Sequence, residues 1–276
     1  MKRSFVTIFY IFSIIVLLII MIIIFFATKW TTRINQKSIF LGDGYNCFEN
    51  VLLNSINGLL SFYIPKENDT EFLDWEKMYP ELKILEKNWE VIRDDAMKVR
   101  HQSPDYGNID NKNKGLSFSD KKYWKVYILK YYQDYISKNC KNVKETCKLL
   151  KQIKKLDLAM FSILEKGKTL YPHRGPYRGI LRVHLPLKIP KHKKTYLEVN
   201  KKKHYWKEGK IVAFDDTFTH SVKNPNQIKY ADDRIILLID LPRLDVPSAF
   251  NIVTSLASKY FNKINNKIEH NSKKMD

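Results

Sequence analysis

From Phe5 to Ala27 the chain runs for 23 residues without a charged side chain, built mainly of Ile, Phe, Leu and Val. At about 1.5 Å per residue such a run spans roughly 34 Å as a helix, enough to cross a bilayer. It exceeds the roughly 7–15 apolar residues of a secretory leader, and no small-x-small cleavage site precedes Lys29. The pattern predicts an uncleaved single-pass anchor over residues 1–28. Lys2 and Arg3 on one flank nearly balance Lys29, Arg33 and Lys37 on the other, so the charge rule leaves the orientation open.

Residues 29–74, interrupted by Gly42, Gly44 and the polar stretch Lys66–Thr70, read as a stalk and lead-in. Beyond them Leu82, Leu85, Trp89, Val91 and Ile92 recur at helical spacing, and a second apolar-periodic stretch covers Tyr123–Tyr135. Helices are therefore expected between residue 83 and about 155. The period then changes. Short runs rich in Val, Ile, Leu, Phe and Tyr follow at 159–164, 179–187, 195–199, 211–214, 217–222 and 234–241, separated by Gly, Pro, Asn and Asp. These predict an all-β core, a sandwich or barrel, within a domain over residues 75–250. Lysine runs at 191–194 and 201–203 fall at turns, and residues 251–276 form a basic C-terminal tail.

Composition narrows the function classes. The 48 Lys and Arg against 29 Asp and Glu give a net charge of +19, which would suit nucleic acid. The lysines are dispersed and form no recognisable binding module, so no nucleic-acid partner is expected. Three cysteines exclude a disulfide-dense miniprotein. The chain has no Walker loop, no G-x-G-x-x-G fingerprint and no C-x-x-C pair, which removes support for nucleotide-driven and thioredoxin-like chemistry. Among seven histidines, His173, His184 and His220 lie in the strand-rich half beside apolar residues.

Taken together, His173-Arg174-Gly175-Pro176, Leu181-Arg182-Val183-His184-Leu185, Trp206-Lys207-Glu208-Gly209-Lys210, Phe214–His220 and Arg234 resemble the aspartyl/asparaginyl β-hydroxylase family of Fe(II)- and 2-oxoglutarate-dependent oxygenases. The likeness extends through Phe161-Ser162-Ile163-Leu164 and Pro80-Glu81-Leu82…Trp89…Ile92-Arg93 to cover roughly residues 76–244. It implies a double-stranded β-helix, a jelly-roll, with helices on one face. It also implies an oxygenase that hydroxylates an unactivated carbon with Fe(II), 2-oxoglutarate and O2.

The resemblance assigns His173 and His220 to iron. His173 is expected to end one strand and His220 to begin another on the opposite sheet. Position 175, where a facial triad carries its carboxylate, is Gly, as this family leads one to expect, with water taking the vacant place and Asp216 holding it. Arg234, assisted by Ser162, suits the distal carboxylate of 2-oxoglutarate. Arg182 and His184 would act near its iron-bound end or the substrate. Arg174, Arg178 and Arg182 could face an acidic substrate.

Cys140 and Cys147 match a Cys-x6-Cys pair of the lumenal animal-type hydroxylases, which makes them a disulfide candidate. In one continuous helix their Cα atoms would stand roughly 10 Å apart, too far to bridge, so a bond requires a break, for which Asn142 is a candidate. A bond would place the domain in an extracytoplasmic, oxidising compartment, where the sequon Asn68-Asp69-Thr70 would be a glycosylation acceptor. The segment Arg174–Gly179 instead resembles membrane-anchored lipid A hydroxylases that work at the cytosolic face. Asp or Asn β-carbons of protein substrates are thus the first expectation, and a lipid acyl chain is the alternative. A catalytically inactive, membrane-tethered binding module is the remaining alternative.

Overall fold

The computed structural model describes residues 2–33, 47–105, 123–132, 134–191, 194–225 and 232–250; the basic tail lies outside them. Two compact units divide at Ile64–Pro65.

The first unit holds helix α1 (Lys2–Arg33) and helix α2 (Cys47–Tyr63), the latter inside the segment read as a stalk. Ile11–Thr32 is long and apolar enough to cross a membrane, and almost all of its apolar side chains point outward. On α2, the Ser55 hydroxyl donates to the Ile23 carbonyl at 2.9 Å. Gly58 has no Cβ because the Phe26 carbonyl of α1 fills that space.

The second unit opens with β1 (Phe72–Leu73), followed by helices α3 (Trp75–Met78), α4 (Lys83–Lys87) and α5 (Trp89–Val99). Next come β2 (Trp124–Tyr131), β3 (Asp134–Tyr135), α6 (Ser137–Asn142) and α7 (Lys144–Leu150). The remaining strands are β4 (Leu158–Leu164), β5 (Thr169–His173), β6 (Ile180–Lys188), β7 (Tyr196–Val199), β8 (Lys202–His204), β9 (Val212–Phe214), β10 (His220–Lys223) and β11 (Arg234–Pro242).

These strands form two antiparallel sheets in the orders β1-β9-β6-β11-β4-β2-β3 and β5-β10-β7-β8. The result is a double-stranded β-helix with helices against the outer face of the larger sheet. The central strand β11 is buried along its whole length. Its alternate residues serve two cores, as the pleat requires. Ile235, Leu237, Ile239 and Leu241 pack with Leu82, Leu85, Ile92 and Leu150 of the helical layer. Ile236 and Leu238 pack between the sheets with Met160, Leu197, Val199 and Phe214.

Two expectations are corrected. Residues 124–131 form a strand of the main sheet, not a helix. A register shift between Ile128 and Lys130 resets the alternation, leaving a buried, half-buried pattern that imitates a helical period. His173 and His220 also share one sheet, as cross-strand partners on β5 and β10, instead of facing each other from opposite sheets. Neighbouring strands bring two side chains closer than a sandwich, whose sheets stand about 10 Å apart, would allow.

The helical layer is tied internally by Asp95 of α5, whose carboxylate accepts from the Thr146 amide at 3.1 Å and its hydroxyl at 2.9 Å. Between α6 and α7 the backbone breaks at Val143, with φ −131°. The break brings the Cα atoms of Cys140 and Cys147 to 5.7 Å, and the two are disulfide-bonded. Cys140→Ser is expected to lower unfolding stability by about 2–3 kcal/mol, read as a lower urea midpoint under non-reducing conditions.

Candidate active site

His173 ends β5 and His220 begins β10, with ring centroids 4.1 Å apart. Each ring is held by its Nδ1, which lies 2.7 Å from the Tyr171 carbonyl in His173 and 3.0 Å from the Phe218 carbonyl in His220. A carbonyl only accepts, so each Nδ1 carries the proton and each Nε2 keeps its lone pair. Withdrawal from water pushes the His173 imidazole down to about 4, and burial beside His173 holds His220 well below the usual range. Both rings are thus neutral at neutral pH, as metal ligands must be.

Gly175 follows two residues after His173. A Cβ there would overlap the carboxylate of Asp216, which occupies the space. The Gly175 amide donates to the Asp216 carbonyl at 2.8 Å, fixing the two backbones together. Asp216 is buried, and desolvation raises its carboxyl to about 7 against the pull of Arg182.

Arg182 stands between two carboxylates. Its Nε and Nη2 donate to the two oxygens of Asp240, each at 2.8 Å, and its Nη1 lies 2.8 Å from Asp216 Oδ2. Asp240 on β11 is the cross-strand partner of Arg182 on β6, so the fork follows from register. The Asp240–Arg182–Asp216 chain therefore fixes the carboxylate beside the histidine pair.

Deeper between the sheets, Ser162, His184 and Arg234 are all buried. Ser162 accepts from the Trp124 indole at 2.9 Å. The Arg234 guanidinium lies 5.3 Å from the Trp206 ring centre. Its Nε and Nη1 are buried without a partner, as are both ring nitrogens of His184 and the Trp206 indole nitrogen. Burial without a facing carboxylate pushes Arg234 down to about 9. Unpaired buried donors are costly and rare, and their concentration here calls for an anionic, hydrogen-bonding guest. The donor set fits a small dicarboxylate; two neutral histidines with an adjacent carboxylate fit a divalent metal. Among the described residues no group of three or more His, Cys, Asp or Glu is placed to hold a metal ion together.

Residues 86–243 match the Aspartyl/Asparaginyl beta-hydroxylase family. The chain belongs to that family. An ornithine lipid ester-linked acyl 2-hydroxylase of Rhizobium tropici is 32% identical over 177 residues, covering 62% of this chain and 61% of that protein. The human aspartyl/asparaginyl beta-hydroxylase is 32% identical over 179 residues, covering 62% of this chain and 22% of that protein. Both matches span less than two thirds of the relative.

Within this β-hydroxylase domain the structure pairs His173 with His220 and Arg182 with Asp216, and buries Ser162, His184 and Arg234 on strands of the larger sheet. Arg178 is a correction. It is fully buried, 3.1 Å from Asp215 and paired also with Asp69, so it faces no substrate. Arg182 is likewise engaged by carboxylates, while Arg174 donates to the Thr219 hydroxyl at 2.7 Å.

Sequence reasoning missed Asp215, Arg243 and Asp240. Arg243 approaches Asp215 at 3.1 Å and Asp245 at 3.0 Å and donates to the Asn68 carbonyl at 2.9 Å. The sequon residue Asn68 donates its amide to Asp245, so this side chain is committed to the fold. The available signal was a run of charges beside apolar strands, at Asp215-Asp216 and Asp240…Arg243.

Asp215→Ala is expected to cost about 1–3 kcal/mol, because it takes the shared carboxylate from two buried guanidinium groups, which keep Asp69 and Asp245; thermal unfolding measures it. Asp157, half-buried near Asp240, has its carboxyl raised to about 7 by desolvation and then by Asp240. The folded chain holds that proton more tightly than the unfolded one. The stability it contributes is complete below about pH 4 and lost as pH rises through about 7. Asp157→Asn should remove that part of the decline, visible as a flatter stability profile between pH 4 and pH 8.

Proposed function

We propose that the domain is an Fe(II)- and 2-oxoglutarate-dependent hydroxylase acting on an unactivated carbon. The observations that carry this reading are two neutral cross-strand histidines, each with its Nε2 lone pair available, and a buried Arg234 that lacks an anionic partner. His173 and His220 would hold the metal. Iron with 2-oxoglutarate and O2 supplies the oxidising power that turns C–H into C–OH, releasing succinate and carbon dioxide.

The chain's own residues prepare that chemistry. Backbone carbonyls keep the histidine tautomers correct, the second-shell arrangement expected of imidazole ligands. Asp216 lies where a triad carboxylate on residue 175 would need to be, and it would hold the water that completes the metal's coordination. Arg234 would receive the distal carboxylate of 2-oxoglutarate with Ser162 beside it. His184 and Trp206 carry further unpaired buried nitrogens for that guest, and Phe214 packs 5.0 Å from His184 to keep the floor dry.

The β-carbon of Asp or Asn in protein substrates is the first substrate class, supported by the Cys140–Cys147 bond. Such a bond persists in an oxidising, extracytoplasmic compartment, and on this reading α1 is a single-pass anchor with the domain beyond the membrane. A second reading, hydroxylation of a lipid acyl chain, is favoured by a different observation. Arg178 and Arg182, cations that an acidic side chain would use, are already held by carboxylates. Mass spectrometry separates the two: one added oxygen on co-expressed secreted domains supports the first, and one on membrane lipid the second.

Adding Fe(II) and then 2-oxoglutarate to the anaerobic protein should produce a visible charge-transfer band. His173→Ala should abolish it, and Arg234→Met should require far more 2-oxoglutarate. Without co-substrate, Arg234→Met should also unfold about 1–3 kcal/mol later than the parent, because an uncompensated buried charge has been replaced by an apolar chain of similar length. No band in folded, iron-loaded protein would overturn the proposal in favour of a tethered binding module.

A further inference from the structure

On the helical side of the domain the disulfide forms the floor of a groove of about 490 Å³. Lys141, Lys144, Lys148 and Lys151 line it together with Tyr135. All four lysines are exposed. Lys141 sits on α6, Lys144 and Lys148 on α7 and Lys151 just past its end, and no acidic side chain lines the groove among the described residues. The Lys151 ammonium lies 5.6 Å from the Tyr135 ring centre.

Like charges three and four residues apart repel and destabilise a helix. None of the four lining lysines has a carboxylate partner among the described residues. Glu145 lies on α7 and Asp134 beside Tyr135, yet neither lines the groove. The arrangement is unfavourable alone and becomes favourable against a surface of negative charge. Lysine also fits spread phosphate groups as a compact point charge on a long, mobile stem.

We infer that this lysine groove docks the domain on the anionic phosphate headgroups of a bilayer. The membrane-spanning character of α1 makes such a surface available at high effective concentration, and each lysine near an anionic leaflet adds to the attraction. An aromatic ring among the lysines suits the headgroup level, where Tyr is enriched. The inference needs the tether, the groove and anionic lipid in the leaflet that faces the domain, and it does not depend on the identity of the hydroxylated substrate.

The test uses the full chain in nanodiscs of phosphatidylcholine alone or mixed with phosphatidylglycerol, with lysine acetylation followed by peptide mass spectrometry. In the anionic discs, labelling of the four groove lysines should slow by roughly fivefold, the occupancy ratio set by one lysine's attraction to such a surface. High salt should reverse the effect. Lys201 and Lys207, exposed in the β-core turns, should change little. The variant K141Q/K144Q/K148Q/K151Q should retain the parent's iron and 2-oxoglutarate binding, while its remaining lysines lose any response to phosphatidylglycerol. Equal groove labelling in both discs, or slowing spread evenly over all exposed lysines, would overturn the inference. Protection by inorganic phosphate in neutral discs would overturn it too, because the groove would then be a small-anion site.

Discussion

The carboxylate of Asp215, sealed between the guanidinium groups of Arg178 and Arg243, is the constraint from which the upper part of the site hangs. It also accepts from the Thr217 amide at 3.0 Å, so the turn after β9 cannot move without breaking buried ionic contacts. That turn carries Asp216 and leads directly into His220. Asp69 and Asn68 close the network from the chain that enters the domain. The lead-in is thereby part of the scaffold: Glu71 accepts from Asn200 at 2.6 Å and pairs with Lys202 at 2.7 Å, and its carbonyl accepts from the Asp215 amide at 3.0 Å.

The two levels of the site are built on opposite electrostatic principles. Around Arg182 every charge has an opposite neighbour, which gives geometric precision at the cost of desolvating several ions. Around Arg234 the charge is left open, and the free energy of burying it is unrecovered until a guest arrives. The cluster around Arg182 therefore holds its shape by itself, whereas on the proposed function the pocket at Arg234 would be completed by its guest.

Much of this was legible in the sequence, for identifiable reasons. Six strands announced themselves through β-branched and aromatic runs between turn residues, and β11 is the clearest because nine consecutive buried positions leave no other reading. The site histidines were marked by their apolar surroundings and by family motifs. β2 was not legible as a strand, since its irregularity at Leu129 breaks the period on which such reading depends. β1, β3 and β8 are two or three residues long, too short to carry a pattern. Asp215, Asp240 and Arg243 were hidden because the contacts Asp215–Arg243, Asp215–Arg178 and Asp240–Arg182 join residues 28, 37 and 58 apart in sequence, and no local spacing encodes a contact made by the fold.

The shared volume between Gly175 and Asp216 restricts how this centre could be altered. Writing Asp at position 175 would not add a third protein ligand, because the new side chain would be driven into the carboxylate already there, two negative groups in one buried space. Clearing position 216 first would leave the Nη1 end of Arg182 without its partner. If His173 and His220 hold a metal as proposed, that two-histidine centre and one with a carboxylate at 175 are separated by steps that each fail alone. Passage between them requires coordinated change at 175, 216 and 182, which makes the glycine a lock on the type of centre and not merely a missing ligand.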